Sequence, residues 1–89
     1  MKVQAEVSLY PLRTQRVGEA VARFLEHLRG VGLNVEVGTM STQMTGESER
    51  VFETLGKAFQ DTASHGDAVL VVKVSNACPT EPQAEPMTV

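Results

Sequence analysis

The stretch Lys2-Val3-Gln4-Ala5-Glu6-Val7-Ser8-Leu9-Tyr10, followed by Pro11, decides the architecture of the chain. Val3, Ala5, Val7 and Leu9 alternate with Gln4, Glu6, Ser8 and Tyr10. Successive side chains of a strand point to opposite faces, so a period of two predicts a strand with one apolar face. Pro11 lacks the N–H that a ladder needs and is expected to close the strand. The period then changes. Val17, Ala20, Val21, Phe24, Leu25, Leu28 and Val31 recur at steps of three and four, the stripe of an amphipathic helix over residues 15–31. Thr14 is the expected N-cap, and Gly30 and Gly32 mark the exit.

The remainder repeats this alternation of periods. Leu33, Val35 and Val37 alternate with Asn34, Glu36 and Gly38 in a second strand. Gly38-Thr39-Met40 reads as a turn, and residues 41–45 as a weak third strand that Gly46 ends. Ser48 is expected to cap a second helix with Val51, Phe52, Leu55, Ala58, Phe59 and Ala63 on its inner face, stopped by Gly66. Residues 68–76 read as a fourth strand, in which Leu70-Val71-Val72 is apolar on both faces and calls for burial on both. Cys78-Pro79 ends it. Residues 1–79 are thus one domain, and residues 80–89, with Pro82 and Pro86 among polar side chains, are expected to be a flexible tail. The order β-α-β-β-α-β, with two right-handed crossovers, predicts an α+β, ferredoxin-like fold: a four-stranded antiparallel sheet with two helices on one face. The other face would bear Gln4, Glu6, Ser8, Tyr10 and the second apolar face of the fourth strand. A partner subunit is expected to cover it.

Composition narrows the function. A chain of 89 residues has room for one small domain, and domains of this size often gain stability by oligomerising. Eight Lys and Arg against eleven Asp and Glu give a net charge of −3, which argues against a nucleic-acid partner. One tyrosine and no aromatic platform on the central strands argue against RNA as well. The longest apolar run, residues 68–72, is far short of the roughly 20 residues of a membrane helix. The N-terminal residues have no apolar core of a secretory signal, and a single cysteine forbids an internal disulfide, so a cytoplasmic location is expected.

No catalytic or metal-binding motif stands out. His27 and His65 lie in predicted helices, where solvated or packing roles suffice, and with one cysteine they make no zinc set. Cys78 has no base or cation beside it to activate a thiolate. Glu47, Glu49 and Glu53 suit the start of a helix, whose dipole favours negative charge. Glu6 is different: a mid-strand carboxylate on the face a partner would cover must be exposed, paired or turned to a ligand. Small polar residues gather in three clusters: Ser8-Leu9-Tyr10-Pro11-Leu12, Gly38-Thr39-Met40-Ser41-Thr42 and Ser75-Asn76-Ala77-Cys78-Pro79. The predicted topology places the second and third at one end of the sheet and the first toward the other. Hydroxyls and amides both donate and accept, which suits a neutral heteroaromatic ring better than a phosphate.

The segments Glu6-Val7-Ser8-Leu9-Tyr10-Pro11-Leu12, Val35-Glu36-Val37-Gly38-Thr39-Met40-Ser41-Thr42 and Ser75-Asn76-Ala77-Cys78-Pro79 resemble the thiamine-binding, YkoF-like family. Chain length and element order match a member with a single repeat. The resemblance implies a ferredoxin-like fold, homo-oligomers (dimers or tetramers), and binding of thiamine or its hydroxymethylpyrimidine moiety as a ligand, with no catalysis, metal or cofactor. It points to Glu6, Ser8, Met40, Thr42 and Asn76 as ligand-binding residues. Ser8, Thr42 and Asn76 would meet the aminopyrimidine, Glu6 the cationic thiazolium, and Met40 would form a soft apolar wall. The alternatives are a structural or regulatory oligomerisation module with no such ligand, and an enzyme. The acylphosphatases share the fold but cradle phosphate in a loop after the first strand. Here Leu12-Arg13-Thr14-Gln15-Arg16 has the arginines but no glycine.

Overall fold

The period-two pattern at the start of the chain folds as strand β1 (Lys2–Pro11), and the elements that follow are α1 (Val17–Leu28), β2 (Asn34–Val37), β3 (Thr42–Glu47), α2 (Ser48–His65) and β4 (Ala68–Ser75). This computed structural model describes residues 1–30 and 32–77. The strands lie in the order β2-β3-β1-β4, and every neighbouring pair is antiparallel. Order and direction together make the ferredoxin-like α+β fold expected from the pattern. Val31, Cys78 and the proposed tail, residues 80–89, lie outside the described residues.

The apolar half of β1 does what its alternation predicts. Val3, Ala5 and Val7 are buried beneath the helices with Met44 of β3, Phe24 and Leu28 of α1, and Val51, Leu55 and Ala58 of α2. Burial of such side chains stabilises a fold by about 1.5–3 kcal/mol each, so this cluster is the main source of cohesion. Leu70 and Val72 of β4 pack against it from the edge. Val69 and Val71 point to the other face and are each 46% exposed. The doubly apolar character of β4 is therefore real, and a single chain leaves one of its faces in water.

Four local expectations are corrected. Thr14 does not cap α1: the helix starts after Arg16, and the Thr14 hydroxyl instead accepts the Arg16 backbone N–H at 3.0 Å, tightening the loop before it. Pro11 does close β1 as expected: it is the last residue of the strand, paired with Ala68, and its missing N–H falls at the strand terminus. Gly46 does not end β3. It is buried within the strand opposite Val3, and a Cβ there would lie 2.6 Å from Leu33 Cδ2 and 3.0 Å from the Gly32 carbonyl. The glycine admits close passage of the β2 approach segment. On α2 the buried stripe runs Val51, Leu55, Ala58, Thr62, with the Thr62 hydroxyl returned to the Ala58 carbonyl at 3.1 Å. Phe52, one position off that stripe, is 56% exposed, and Ala63 faces solvent. Glu47 precedes α2, which begins at Ser48 with no side-chain cap.

Candidate functional site

The strands differ in length, and the difference builds a recess. β1 pairs with β4 through Pro11 but with β3 only through Val7. From Ser8 onward one edge of β1 therefore has no strand beside it. The β2–β3 hairpin curls into this notch. Its turn is closed by the Gly38 N–H donating to the Ser41 carbonyl at 2.9 Å, and a Cβ on Gly38 would stand 2.8 Å from that same oxygen. Only glycine fits so tight a closure. From the helix layer, Val21 and Leu25 of α1 complete a recess of ≈180 Å³.

Its walls divide by chemistry. Val7, Leu9, Val21, Leu25 and Val37 are apolar, whereas Ser8, Ser41 and Thr42 bring hydroxyls. Thr42 is only 7% exposed, and its hydroxyl makes no hydrogen bond among the described residues; nor does that of Ser8. Among the described residues every side-chain polar atom sealed from solvent has a partner, so the Thr42 hydroxyl opens onto the recess. Two apolar groups stand at the rim: Met40, 90% exposed on the hairpin, and Tyr10, 53% exposed on β1.

Glu6 lies beside this recess, on the sheet face away from the helices. The Ser41 hydroxyl donates to its Oε2 at 3.1 Å, and Lys73 Nζ stands 3.9 Å from its Oε1. Glu6 borders a second shallow recess of ≈370 Å³ shared with Gln4, Gln43, Lys73 and Ser75. Asn76 is at the other end of the sheet, where its Nδ2 donates to Met1 Sδ at 3.6 Å. Ser75 pairs with Gln4, which sets Asn76 roughly 16 Å from Ser8 at about 3.3 Å per residue. The expected pairing of clusters is thus reversed: the hairpin joins the Ser8 cluster, and the Asn76 cluster stands apart. β3 and β4 both run antiparallel to β1 and hence parallel to each other, so the start of β3 and the end of β4 lie at opposite ends. Ser8, Met40 and Thr42 are brought together, Glu6 adjoins them through Ser41, and Asn76 does not.

The other candidates have structural partners. Asp61 of α2 receives Arg23 Nε at 3.1 Å and His27 Nε2 at 3.2 Å, both from α1. His65 Nδ1 lies 2.8 Å from the Asp61 carbonyl. His27 thus joins the two helices, His65 folds back on its own helix, and no group of three metal-ligating side chains occurs among the described residues. The perturbed titrations are all remote from the recess. A hydrogen bond and the attraction of the terminal ammonium lower the Glu47 carboxyl, while the same contact, 2.8 Å long, raises the ammonium. A hydrogen bond from Lys57, reinforced by its charge, lowers Glu53. Sequence reasoning did not single out Tyr10, Ser41 or the α1 wall. A mismatch between the nine-residue alternation of β1 and the shorter third strand was the available signal.

No helix among the described residues is long and apolar enough to cross a membrane. No curated protein matches the chain. Among solved structures, a hypothetical protein of Methanocaldococcus jannascii is 26% identical with a TM-score of 0.79, over 93% of this chain and 88% of that one. A protein of Thermotoga maritima, whose name assigns it provisionally to thiamine biosynthesis or salvage, is 22% identical with a TM-score of 0.74, over 83% and 82%. A Bacillus cereus domain of unknown function is 23% identical with a TM-score of 0.75, over 94% and 84%. At these last two identities the likeness is one of fold. The family profile described as thiamine-binding protein matches residues 5–84, and the chain belongs to that family.

Proposed function

We propose that the chain binds thiamine without transforming it, holding the hydroxymethylpyrimidine half in the recess between β1, α1 and the β2–β3 hairpin. The observation that carries this reading is Thr42: a hydroxyl on a nine-tenths buried residue, without a protein partner, opening onto a recess. Burying a polar group without a hydrogen bond costs about 1–3 kcal/mol, so such a group is best explained by a ligand that completes it. Ser8 borders the recess from the open face of the sheet with a second hydroxyl, and each hydroxyl can donate to a ring nitrogen or accept from an amino group. Whole ligands occupy pockets of about 300–1,000 Å³; a recess of ≈180 Å³ suits one ring. Met40 closes over it as a polarizable wall. Glu6 orients the Ser41 hydroxyl at the rim.

The working unit in this reading is a cytoplasmic homo-oligomer, a dimer or tetramer. Its support is the exposed row of Tyr10, Val69 and Val71 on the sheet face that the helices leave open. Asn76 reaches a ligand in this recess only from a second copy. The same exposed row also favours the second reading, an oligomerisation module without a ligand. Calorimetric titration with thiamine and with hydroxymethylpyrimidine separates the two. Saturable binding of both, lost in Thr42→Val, supports the first; no binding at millimolar ligand refutes it.

A further inference from the structure

We infer that the recess is the inner half of a longer site, and that a groove continuing it between α1 and β2 selects a phosphate ester of the ligand through Arg29. The inference rests on the thiamine reading above and names the form of the ligand this site prefers. A recess of ≈180 Å³ takes one ring, which leaves the second ring and its hydroxyethyl arm to be housed elsewhere. A groove of ≈680 Å³ meets the recess at Leu25 and Val37, which line both. Val21, Leu25 and Arg29 succeed one another at steps of four along one face of α1 and its C-cap. Val21 lines the recess, Leu25 both spaces, and Arg29 the groove, a rail of about 12 Å at about 1.5 Å per residue. β2 runs alongside: Val35 and Val37 stand opposite the buried Met44 and Thr42 and so share the helix face of the sheet.

The groove therefore lies on the helix face at the β2 edge. Tyr10, Val69 and Val71, the row a second copy would cover, lie on the opposite face toward β4. Leu25, Val35 and Val37 make its near part apolar, and the exposed Val37 offers a ring surface to cover. At its far end stands Arg29, paired with Glu26 at 3.8 Å. These two side chains are 70% and 68% exposed, so water already screens their contact. A phosphate brings more charge than that carboxylate, and a guanidinium meets it with two parallel N–H···O bonds. The ester's negative charge also offsets the cationic ring, whose transfer to an apolar groove is otherwise costly.

Calorimetry tests this with hydroxymethylpyrimidine, thiamine and thiamine monophosphate on the wild type, Arg29→Gln and Arg16→Gln. Wild type should bind the monophosphate about 3- to 10-fold more tightly than thiamine. Arg29→Gln should bring the two within about twofold by weakening the monophosphate alone. Arg16→Gln removes the same charge from an exposed side chain ahead of α1, outside the groove, and should keep the preference. The ratio of affinities is the readout, since a guanidinium that served only the end of α1 would shift all three ligands together. Melting temperatures identify a variant that fails to fold. Should Arg29→Gln do so, Glu26→Gln gives the opposite test: freeing Arg29 should widen the preference, and an unchanged or narrower one overturns the inference. Equal affinity of the wild type for thiamine and its monophosphate, a preference that survives Arg29→Gln, or one lost equally in Arg16→Gln, overturns it and leaves the pyrimidine site standing. Wild type that binds the pyrimidine but neither thiamine nor its ester does the same. Wild type that binds none of the three removes the functional reading and this inference together.

Discussion

Thr42→Val should make the protein more stable and a worse binder at once. The hydroxyl replaced is on a residue 7% exposed, between Val7 on one neighbouring strand and Val37 on the other, and it has no hydrogen-bond partner among the described residues. Valine keeps the branched shape and removes the unmatched polarity. An unsatisfied buried hydroxyl costs about 1–3 kcal/mol; access through the recess recovers part of this, so the free protein should gain about 1 kcal/mol. For a domain of this size that gain raises the melting temperature by about 4–8 °C. With ligand present the sign reverses. Loss of a hydrogen bond to a buried partner costs about 1–3 kcal/mol, which weakens binding by about 5- to 150-fold. Thermal melts of the free protein and calorimetry with hydroxymethylpyrimidine measure the two halves. Thr42→Ser, which keeps the hydroxyl, should bind within severalfold of wild type. If Thr42→Val melts several degrees below wild type, the hydroxyl holds the fold together and the binding argument collapses.

Four further outcomes follow from the same geometry. Gly46→Ala should destabilise by about 1–3 kcal/mol in urea, because its Cβ would press on Leu33 Cδ2 at 2.6 Å; an unchanged midpoint would show that Leu33 yields freely. Light scattering at micromolar concentration should report a dimer or tetramer, and Val71→Lys should dissociate it, whereas a monomeric wild type would remove the case for a covered outer face. Asn76→Ala should weaken ligand binding only in the assembled state; equal weakening in a dissociated variant would place Asn76 in the site of its own chain. The contact of the Met1 ammonium with Glu47 should contribute fully between about pH 4.5 and 8.0. Glu47 is lowered from its ordinary 4.5, so its share fades as pH falls through that lower value. The ammonium is raised from its ordinary 8.0, so its share fades as pH rises through the higher value. Glu47→Gln should flatten both limbs in stability measured against pH, and an unaltered profile would show that solvent screens the contact out.

The fold was legible because its two signals are periodic. Alternation in β1 and the three–four stripe of α1 are set by side-chain direction alone, which is written in the order of residues. What escaped was tertiary. Gly46 reads as a stop signal, yet its purpose is the approach of Leu33, a contact made across the sheet. Phe52 reads as core until the neighbours of α2 choose the stripe one position away. Ser8, Met40 and Thr42 were each found as members of polar clusters, but their meeting depends on where β3 stops pairing with β1. Asn76 would meet the hairpin only if β3 and β4 ran in opposite directions; they run parallel, and no local pattern reports that direction.

Because the recess is made by the overhang of β1, its size is set by how far two strands overlap and by the four-residue closure at the hairpin tip. Of the buried cluster beneath the helices, only Val7 borders the recess. A hairpin longer or shorter by a residue or two would reshape the recess while Val3, Phe24, Met44 and Val51 stay as they are. The shape of the recess can therefore change through the hairpin while most of the interior stays as it is, whereas Thr42, which lies in both, ties the two together.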